Sequence, residues 1–162
     1  VNNAGVVPHF RWGSPLWPHI SDMPLEFWDR VIRTNLYGTF FCTKHAIPHL
    51  SDRNGGHIVN LYGGGGTNPP GALTYVVTKD AIRTFTRFVA EEVRDSNICV
   101  VTVSPRVPIA TETAPETARK TMPGPDILGD AFVLAAQAPL ESSGQCLAFD
   151  EGKLVKEEPM AG

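Results

Sequence analysis

The sequence predicts an α/β fold built on a parallel sheet, and two observations carry that prediction. First, short apolar segments rich in β-branched residues alternate with longer segments whose apolar residues recur every three or four positions. Second, "ICVVTVSP" at 98–105 is continuously apolar, as expected of a parallel strand covered on both faces. The alternation of strands and helices favours right-handed crossovers. At 162 residues, the chain is predicted to form a single domain over 1–162.

The first long helix is predicted from Leu25 to about Leu50, because its apolar residues recur at three- and four-residue spacing. Ser21 and Asp22 supply side-chain oxygens for the free N–H groups of a helix start. Pro24 follows, where no backbone donor is needed. These three residues therefore predict where the helix begins.

The other elements follow from the same kinds of signal. A second long helix is predicted from the "TYVVTKDAI" segment to about Val93, and a third from Asp126 to Ala138. The predicted strands are the chain opening "VNNAGVV", "HIVNLY" (57–62), "ICVVTVSP" and "GQCLAFD" (144–150), and the predicted loops are 8–20, 63–71 and a mobile loop at 105–125.

Composition and charge argue against several classes of function. The net charge of −3 offers no positive surface for nucleic acid or an anionic membrane. No apolar run approaches the length of about 18 residues that spans a bilayer. Cys42, Cys99 and Cys146 stand singly in apolar segments, which predicts reduced, buried thiols and a cytoplasmic location rather than disulfides or zinc.

Tyr75 and Lys79 form the first candidate for chemistry. They lie four residues apart near the start of the second long helix, so their side chains share a face. A nearby ammonium favours the phenolate and lowers the pKa of a tyrosine, which makes the hydroxyl a usable proton donor or acceptor. The spacing by itself is equally typical of an ordinary surface pair.

Four motifs occur in one order and at one spacing: "NNAG", "RTNLYGTF", "GGHIVN" and "TYVVTKDAI". Together they resemble the short-chain dehydrogenase/reductase family, whose members transfer hydride between NAD(P) and a carbonyl or alcohol. "VVTVSP" and "GQCLAFDEG" are similar to the late strands of that family. The resemblance covers nearly the whole chain and corresponds to the later part of the family's domain. It implies a partial Rossmann-like, doubly wound parallel sheet, NAD or NADP as cofactor, and a small carbonyl or alcohol substrate.

The resemblance also implies roles for individual residues. Tyr75 would be the catalytic acid/base, and Lys79 would lower its pKa and hold the nicotinamide ribose. Asn35 would organise a water-linked proton relay to Lys79; the alternative is a polar residue that bends the helix through backbone contacts. The implied cofactor-binding residues are Asn3, Ala4, Gly5, Tyr75, Lys79, Pro105, Val107 and Thr111.

Two residues depart from the family pattern at the site. The family places a serine at the strand end before the tyrosine, where this chain has Tyr62 or Gly63, depending on the gap. Tyr62 is a doubtful replacement, because its longer side chain would put the hydroxyl several ångströms away. The family's proline–glycine pair reads Pro105–Arg106, and the arginine either obstructs the cofactor or reaches a phosphate or an acidic substrate.

The glycine-rich phosphate loop of the family is a third departure, because residues 1–162 contain none at a first strand–helix turn. Gly63–Gly66 follows a middle strand and lacks the GxGxxG spacing, so it is predicted to be a flexible active-site loop rather than a phosphate cradle. Weak NAD(P) binding by these residues is therefore expected.

A second function class stays open beside the oxidoreductase. The chain would then be a non-catalytic remnant that acts, if at all, through association of its two long helices, which the resemblance links to a homodimer or homotetramer. No metal site is predicted, because His45 and His49 fit a solvated helix end better than a metal pair. Phe10, Trp12 and Trp17 would either line a substrate pocket or anchor their loop.

Overall fold

The computed structural model describes residues 1–6, 18–63, 72–112 and 116–157. Within them a four-stranded sheet runs in the order β1-β2-β3-β4. The first three strands are parallel, and β4 is antiparallel to β3. The predicted α/β class with a mostly parallel sheet is therefore confirmed. The strands are β1 (Gly56–Leu61), β2 (Ile98–Ser104), β3 (Cys146–Asp150) and β4 (Lys153–Lys156).

The first predicted long helix is present, but its backbone changes pitch in the middle. It consists of α1 (Leu25–Val31), a π-helical segment (Ile32–Tyr37) and α2 (Gly38–Asp52). The second long helix is α3 (Leu73–Glu92), as predicted. Two shorter helices follow, α4 (Glu116–Arg119) and α5 (Ala131–Ala135).

Helical elements cover both faces of the sheet, because strand side chains alternate between faces. On one face, Ile58 and Val100 pack with Val89 and Val93 of the α3 region. On the other face, Val59, Val101 and Leu147 pack with Ala131 and Ala135 of α5. This is the two-sided core of a doubly wound sheet, and it leaves the carboxyl ends of the parallel strands clear for a site.

Two predictions about the last third of the chain are wrong. The third helix does not run from Asp126 to Ala138: a 3₁₀ turn, Pro125–Leu128, is followed by Gly129 with φ of +41°, and only then does α5 begin. A left-handed residue interrupts a right-handed helix. The prediction also missed β4, which joins β3 through Glu151 and Gly152, both at positive φ. That is the geometry of a two-residue hairpin turn.

The beginning of the first helix also differs from its prediction. Ser21 and Asp22 belong to a 3₁₀ turn, Ile20–Asp22, and α1 has Pro24 as its N-cap with no side-chain cap. The predicted loop at 105–125 contains the single helical turn α4. The predictions for Phe10, Trp12, Trp17 and Gly64–Gly66 fall outside the described residues.

The cysteines are free thiols, and two of them match the predicted burial. Cys99 and Cys146 are buried, whereas Cys42 on α2 is exposed, so its predicted burial is wrong. The cytoplasmic location inferred from these thiols stays a prediction. Among the helices of the described residues, none combines the length and apolar character that crossing a membrane requires.

A row of polar residues crosses the sheet on the α3 side. Asn2 bridges to Asn60, Asn60 pairs with Thr102, and Thr102 pairs with Cys146. The amide of Asn2 donates to Asn60 Oδ1 at 2.7 Å, and Asn60 Nδ2 donates to Thr86 Oγ1 of α3 at 2.8 Å. These side chains hold the first residues of the chain against β1.

Candidate active site

Tyr75 and Lys79 lie in the first two turns of α3, beside the carboxyl end of β1. The Lys79 Nζ atom lies 5.6 Å from the centroid of the Tyr75 ring, as their helical spacing predicts. The opening segment reaches the same place: a Cβ built on Gly5 would lie 3.5 Å from Asn35 Oδ1 and 3.9 Å from Lys79 Nζ. The fold therefore brings Tyr75, Lys79, Asn35 and Gly5 together from three separate parts of the chain.

The ammonium of Lys79 is buried and anchored to the sheet. Its side chain is 3% exposed, and Nζ donates to the carbonyl oxygen of Leu61 at 2.9 Å. Burial lowers the pKa of Lys79 from 10.5 to about 8. The group is consequently still mostly charged at pH 7, and the strand end fixes its position.

Tyr75 is half-buried, and burial raises the pKa of its hydroxyl above the ordinary value of 10.0. The predicted lowering of this pKa by Lys79 is therefore wrong for the chain as described, because desolvation of the phenolate is the dominant effect. The hydroxyl is protonated at neutral pH. In this state Tyr75 is suited to donate a proton rather than to accept one.

Asn35 lies at the centre of the π-helical segment and is fully buried. Single-turn π segments recur at functional sites, where they redirect a side chain. The Asn35 side chain accepts the N–H of Val6 at Oδ1, 2.8 Å away, and Nδ2 donates to Thr78 Oγ1 at 3.1 Å. Asn35 therefore ties the opening segment of the chain to the turn of α3 that carries the tyrosine and lysine.

Gly63, and not Tyr62, faces the Tyr75 hydroxyl. A Cβ built on Gly63 would lie 2.9 Å from the Tyr75 Oη and 3.9 Å from Lys79 Cε. A serine side chain at this position would therefore point into the site. Glycine leaves that position without a hydroxyl.

The Tyr62 hydroxyl is directed elsewhere. The residue is 4% exposed, and its hydroxyl donates to Asp80 Oδ1 at 3.1 Å. The guanidinium of Arg83 lies 5.6 Å from the centroid of its ring. Burial and the nearby Asp80 carboxylate raise the pKa of Tyr62 to about 12. The suggestion that Tyr62 replaces the missing serine is thus corrected: its hydroxyl is engaged beneath α3.

The predicted cofactor-binding residues fall into two groups. Asn3, Ala4 and Gly5 form an exposed strip of backbone that continues into Val6, the partner of Asn35. The other group follows β2 and consists of Pro105, Val107 and Thr111, of which Val107 and Thr111 are exposed. The Val107 N–H donates to the Pro105 carbonyl at 2.7 Å, and this closes a tight turn.

Arg106, in the middle of that turn, adopts φ of +59°, a left-handed conformation that glycine reaches without strain. Its guanidinium pairs with Asp150 of β3 at 3.0 Å. This pair turns the Arg106 side chain toward the end of β3, and both outcomes considered from the sequence stay predictions.

The sequence analysis missed two participants. The Leu61 carbonyl that holds Lys79 is a backbone group, which no residue pattern specifies. Thr78 was also overlooked, although its place directly before Lys79 could have drawn attention to it. Within the described ranges, no group of three or more His, Cys, Asp and Glu side chains is placed to hold a metal ion, and His45 and His49 are exposed on α2.

A family model described as short chain dehydrogenase matches residues 1–121. The chain belongs to this family. Within the short-chain dehydrogenases, a cyclopentanol dehydrogenase from Comamonas is 36% identical over 140 residues, which cover 81% of this chain and 51% of the relative. This short-chain dehydrogenase chain spans about half the length of the curated relatives it matches.

Solved structures of short-chain dehydrogenases share the fold. A 3-oxoacyl-[acyl-carrier protein] reductase from Brucella melitensis with bound NAD has a TM-score of 0.74 and 29% identity, covering 91% of this chain and 58% of that one. ElxO with NADP bound has a TM-score of 0.72 and 27% identity, covering 93% and 64%. Binding of a nicotinamide cofactor is thus supported for the family, with either form represented.

Proposed function

We propose that this chain carries the proton-transfer site of an NAD(P)-dependent oxidoreductase that interconverts a small carbonyl compound and its alcohol. The observation that carries the proposal is the convergence of Tyr75, Lys79, Asn35 and Gly5 at one strand end. A half-buried phenol beside an ammonium is a device for delivering a proton to a developing alkoxide. The family membership of the chain supports the same reaction class.

The residues near Lys79 are compatible with a nicotinamide nucleotide. The strip Asn3–Gly5 is exposed backbone, and Gly5 has no side chain to separate a ligand from Asn35 and Lys79. An ammonium has three N–H donors. One serves Leu61, so the same group can also donate to a ribose hydroxyl. When bound, the nicotinamide would supply the hydride.

The chain's own contribution is to place and deliver a proton. Tyr75, protonated at neutral pH, would donate its hydroxyl proton to the substrate oxygen as that oxygen gains charge. The Lys79 ammonium, fixed by Leu61, would stabilise the resulting phenolate by its charge. Asn35 would hold the opening segment at the distance this arrangement needs. The Tyr75 phenolate would regain a proton from Lys79, and solvent that Asn35 organises would return a proton to Lys79. Pro105, Val107 and Thr111 are proposed to border the nicotinamide end.

Cofactor titration is the direct test of this function. NADH and NADPH binding would be measured by calorimetry for the wild type and for Tyr75→Phe, which keeps the ring and removes the hydroxyl. Tyr75→Phe is expected to bind either nucleotide as the wild type does but to lose about 10² to 10⁴ in kcat for carbonyl reduction. A folded wild-type chain that binds neither nucleotide would refute an oxidoreductase self-sufficient over 1–162.

A second candidate function is association without catalysis, and one observation favours it. Tyr37, Phe40 and Phe41 at the junction of the π segment with α2, and Phe88 on α3, are large apolar side chains left exposed. Tyr37 and Phe40 both contact the ring of Phe41, with centroids 6.2 and 5.3 Å apart. Contiguous exposed aromatic surface is typical of an interface. A homodimer or homotetramer through these helices is accordingly proposed, whether or not the site is active.

Sedimentation velocity tests the interface. Phe41→Lys is expected to shift the chain from dimer or tetramer to monomer, because it places a charge in the middle of the aromatic surface. Val133→Lys is the matched control, since Val133 is a comparably exposed apolar residue on α5. A wild type that sediments as a monomer at about 100 μM would rule out the proposed association, because the Kd of a stable interface lies well below that concentration.

A further inference from the structure

Thr78 lies between Tyr75 and Lys79 in the chain, and its side chain is fully buried. Its hydroxyl donates to the Tyr75 carbonyl oxygen at 2.7 Å and accepts Asn35 Nδ2 at 3.1 Å. Asn35 in turn accepts the Val6 N–H at Oδ1, 2.8 Å away. A continuous line of hydrogen bonds thus runs from the opening segment, through the π-helical segment, to the first turn of α3.

The direction of these bonds is set by the chemistry of the groups. A hydroxyl has one proton, and Thr78 gives it to the Tyr75 carbonyl, which leaves only a lone pair for Asn35. Asn35 therefore presents its NH₂ group to Thr78, and the Val6 backbone favours the same orientation, because its N–H donates to Oδ1 and its carbonyl accepts from Nδ2 at 3.4 Å. If the Asn35 amide turned over, two donors would meet at Val6 and two acceptors would meet at Thr78.

We propose that Thr78 is a positioning residue for this site: its hydroxyl, together with the Val6 backbone, fixes the Asn35 amide, which holds Val6 and the exposed strip before it in register with Tyr75 and Lys79. This inference rests on the proposed function, since a site without chemistry needs no such register. The competing explanation is local. Threonine hydroxyls in helices commonly bond a carbonyl in the preceding turn, with little consequence beyond that turn.

Hydrogen exchange of a ¹⁵N-labelled chain distinguishes these explanations without needing activity. Thr78→Val keeps the shape of the side chain and removes the hydroxyl, and Thr78→Ser keeps the hydroxyl. The Val6 amide is expected to exchange about tenfold faster in Thr78→Val, normalised to the Val89 amide, and at the wild-type rate in Thr78→Ser. That acceleration corresponds to about 1.4 kcal/mol of local protection.

Thr74→Val is the matched control, because Thr74 is an equally buried threonine at the start of α3 whose hydroxyl donates to Met23 Sδ. Unchanged Val6 exchange in Thr78→Val, or equal acceleration in Thr74→Val, would overturn the proposal. If Thr78→Val does not fold, the exchange rate of the Asn35 side-chain NH₂ group is measured in the wild type instead. Exchange at the rate of a free amide would equally refute the proposal. A positive exchange result in a chain that binds no nucleotide would keep the coupling of Thr78 to Val6 as a structural feature and would refute an oxidoreductase self-sufficient over 1–162.

Discussion

Replacing Lys79 with methionine is expected to raise the free energy of unfolding above that of the wild type at pH 7. This difference between variant and wild type is expected to shrink by about 2 kcal/mol between pH 7 and pH 10. Lys79 is 3% exposed, and its pKa is lowered to about 8 because burial penalises the charged form. Methionine fills similar space with no charge to bury, although the hydrogen bond to Leu61 is lost. Urea unfolding at several pH values would measure the difference.

The sign follows from where protons bind. Between pH 8 and 10.5 the unfolded chain holds a proton on Lys79 that the folded chain has released, so wild-type stability rises with pH across this window. Groups with raised pKa values have the opposite effect, because they lower the stability of the folded chain at high pH. These groups are Tyr62, Tyr75, Cys99 and Cys146. They are present in both proteins, so their effects cancel in the comparison.

An exposed lysine provides the control for this experiment. Lys153→Met on β4 removes the same charge from a solvated position. Its stability difference from wild type should stay nearly constant from pH 7 to pH 10. If Lys79→Met behaved as Lys153→Met does, the ammonium of Lys79 would not be buried in solution, and its proposed part in the site would fail.

Gly63→Ser is expected to increase carbonyl reduction by about a hundredfold in kcat, because one correctly placed donor to a developing oxyanion contributes roughly 3–4 kcal/mol. The backbone at Gly63 lies outside the left-handed region, so a side chain causes no strain there. A Cβ would lie 2.9 Å from the Tyr75 Oη, and the phenol must move by a few tenths of an ångström to accept it. The serine hydroxyl would then share the substrate oxygen with Tyr75.

Two further variants serve as controls for Gly63→Ser. Gly63→Ala adds the same Cβ without a hydroxyl and should leave kcat unchanged or lower it. Tyr62→Ser puts a serine at the other candidate position, where the structure has a buried ring bonded to Asp80, and should destabilise the chain without raising kcat. Equal rates for Gly63→Ala and Gly63→Ser would contradict a role for the missing hydroxyl.

The parts of the fold that follow from local patterns were predictable. The β-branched segments became β1, β2 and β3, and the periodic apolar residues after Tyr75 became α3. The π-helical segment was not predictable, because the apolar spacing around Asn35 is the same for either pitch. The turn at Glu151 and Gly152 went unrecognised because the apolar content of β4 is small.

The features of the site that the sequence did not predict have different physical causes. The spacing of Tyr75 and Lys79 placed them together correctly, but the direction of the Tyr75 pKa depends on burial, which spacing does not report. The choice between Tyr62 and Gly63 required knowing where β1 ends and which face each residue takes. Strand alternation assigns Tyr62 to the face of Asn60, beneath α3, once the strand is known.

The polar row from Asn2 through Asn60 and Thr102 to Cys146 has a consequence for folding fidelity. Parallel strands made only of valine and isoleucine can pair in several alignments at similar cost, because each alignment buries apolar side chains on both faces. Here a slip of β1 by one residue would place the Asn60 side chain in the apolar cluster beneath α5. The hydroxyl of Thr86 would then lose its hydrogen-bond partner. Each such buried, unsatisfied group costs about 1–3 kcal/mol. Misaligned pairing of β1 would thus be less stable than the native pairing, and the opening segment could bind only beside a correctly paired β1.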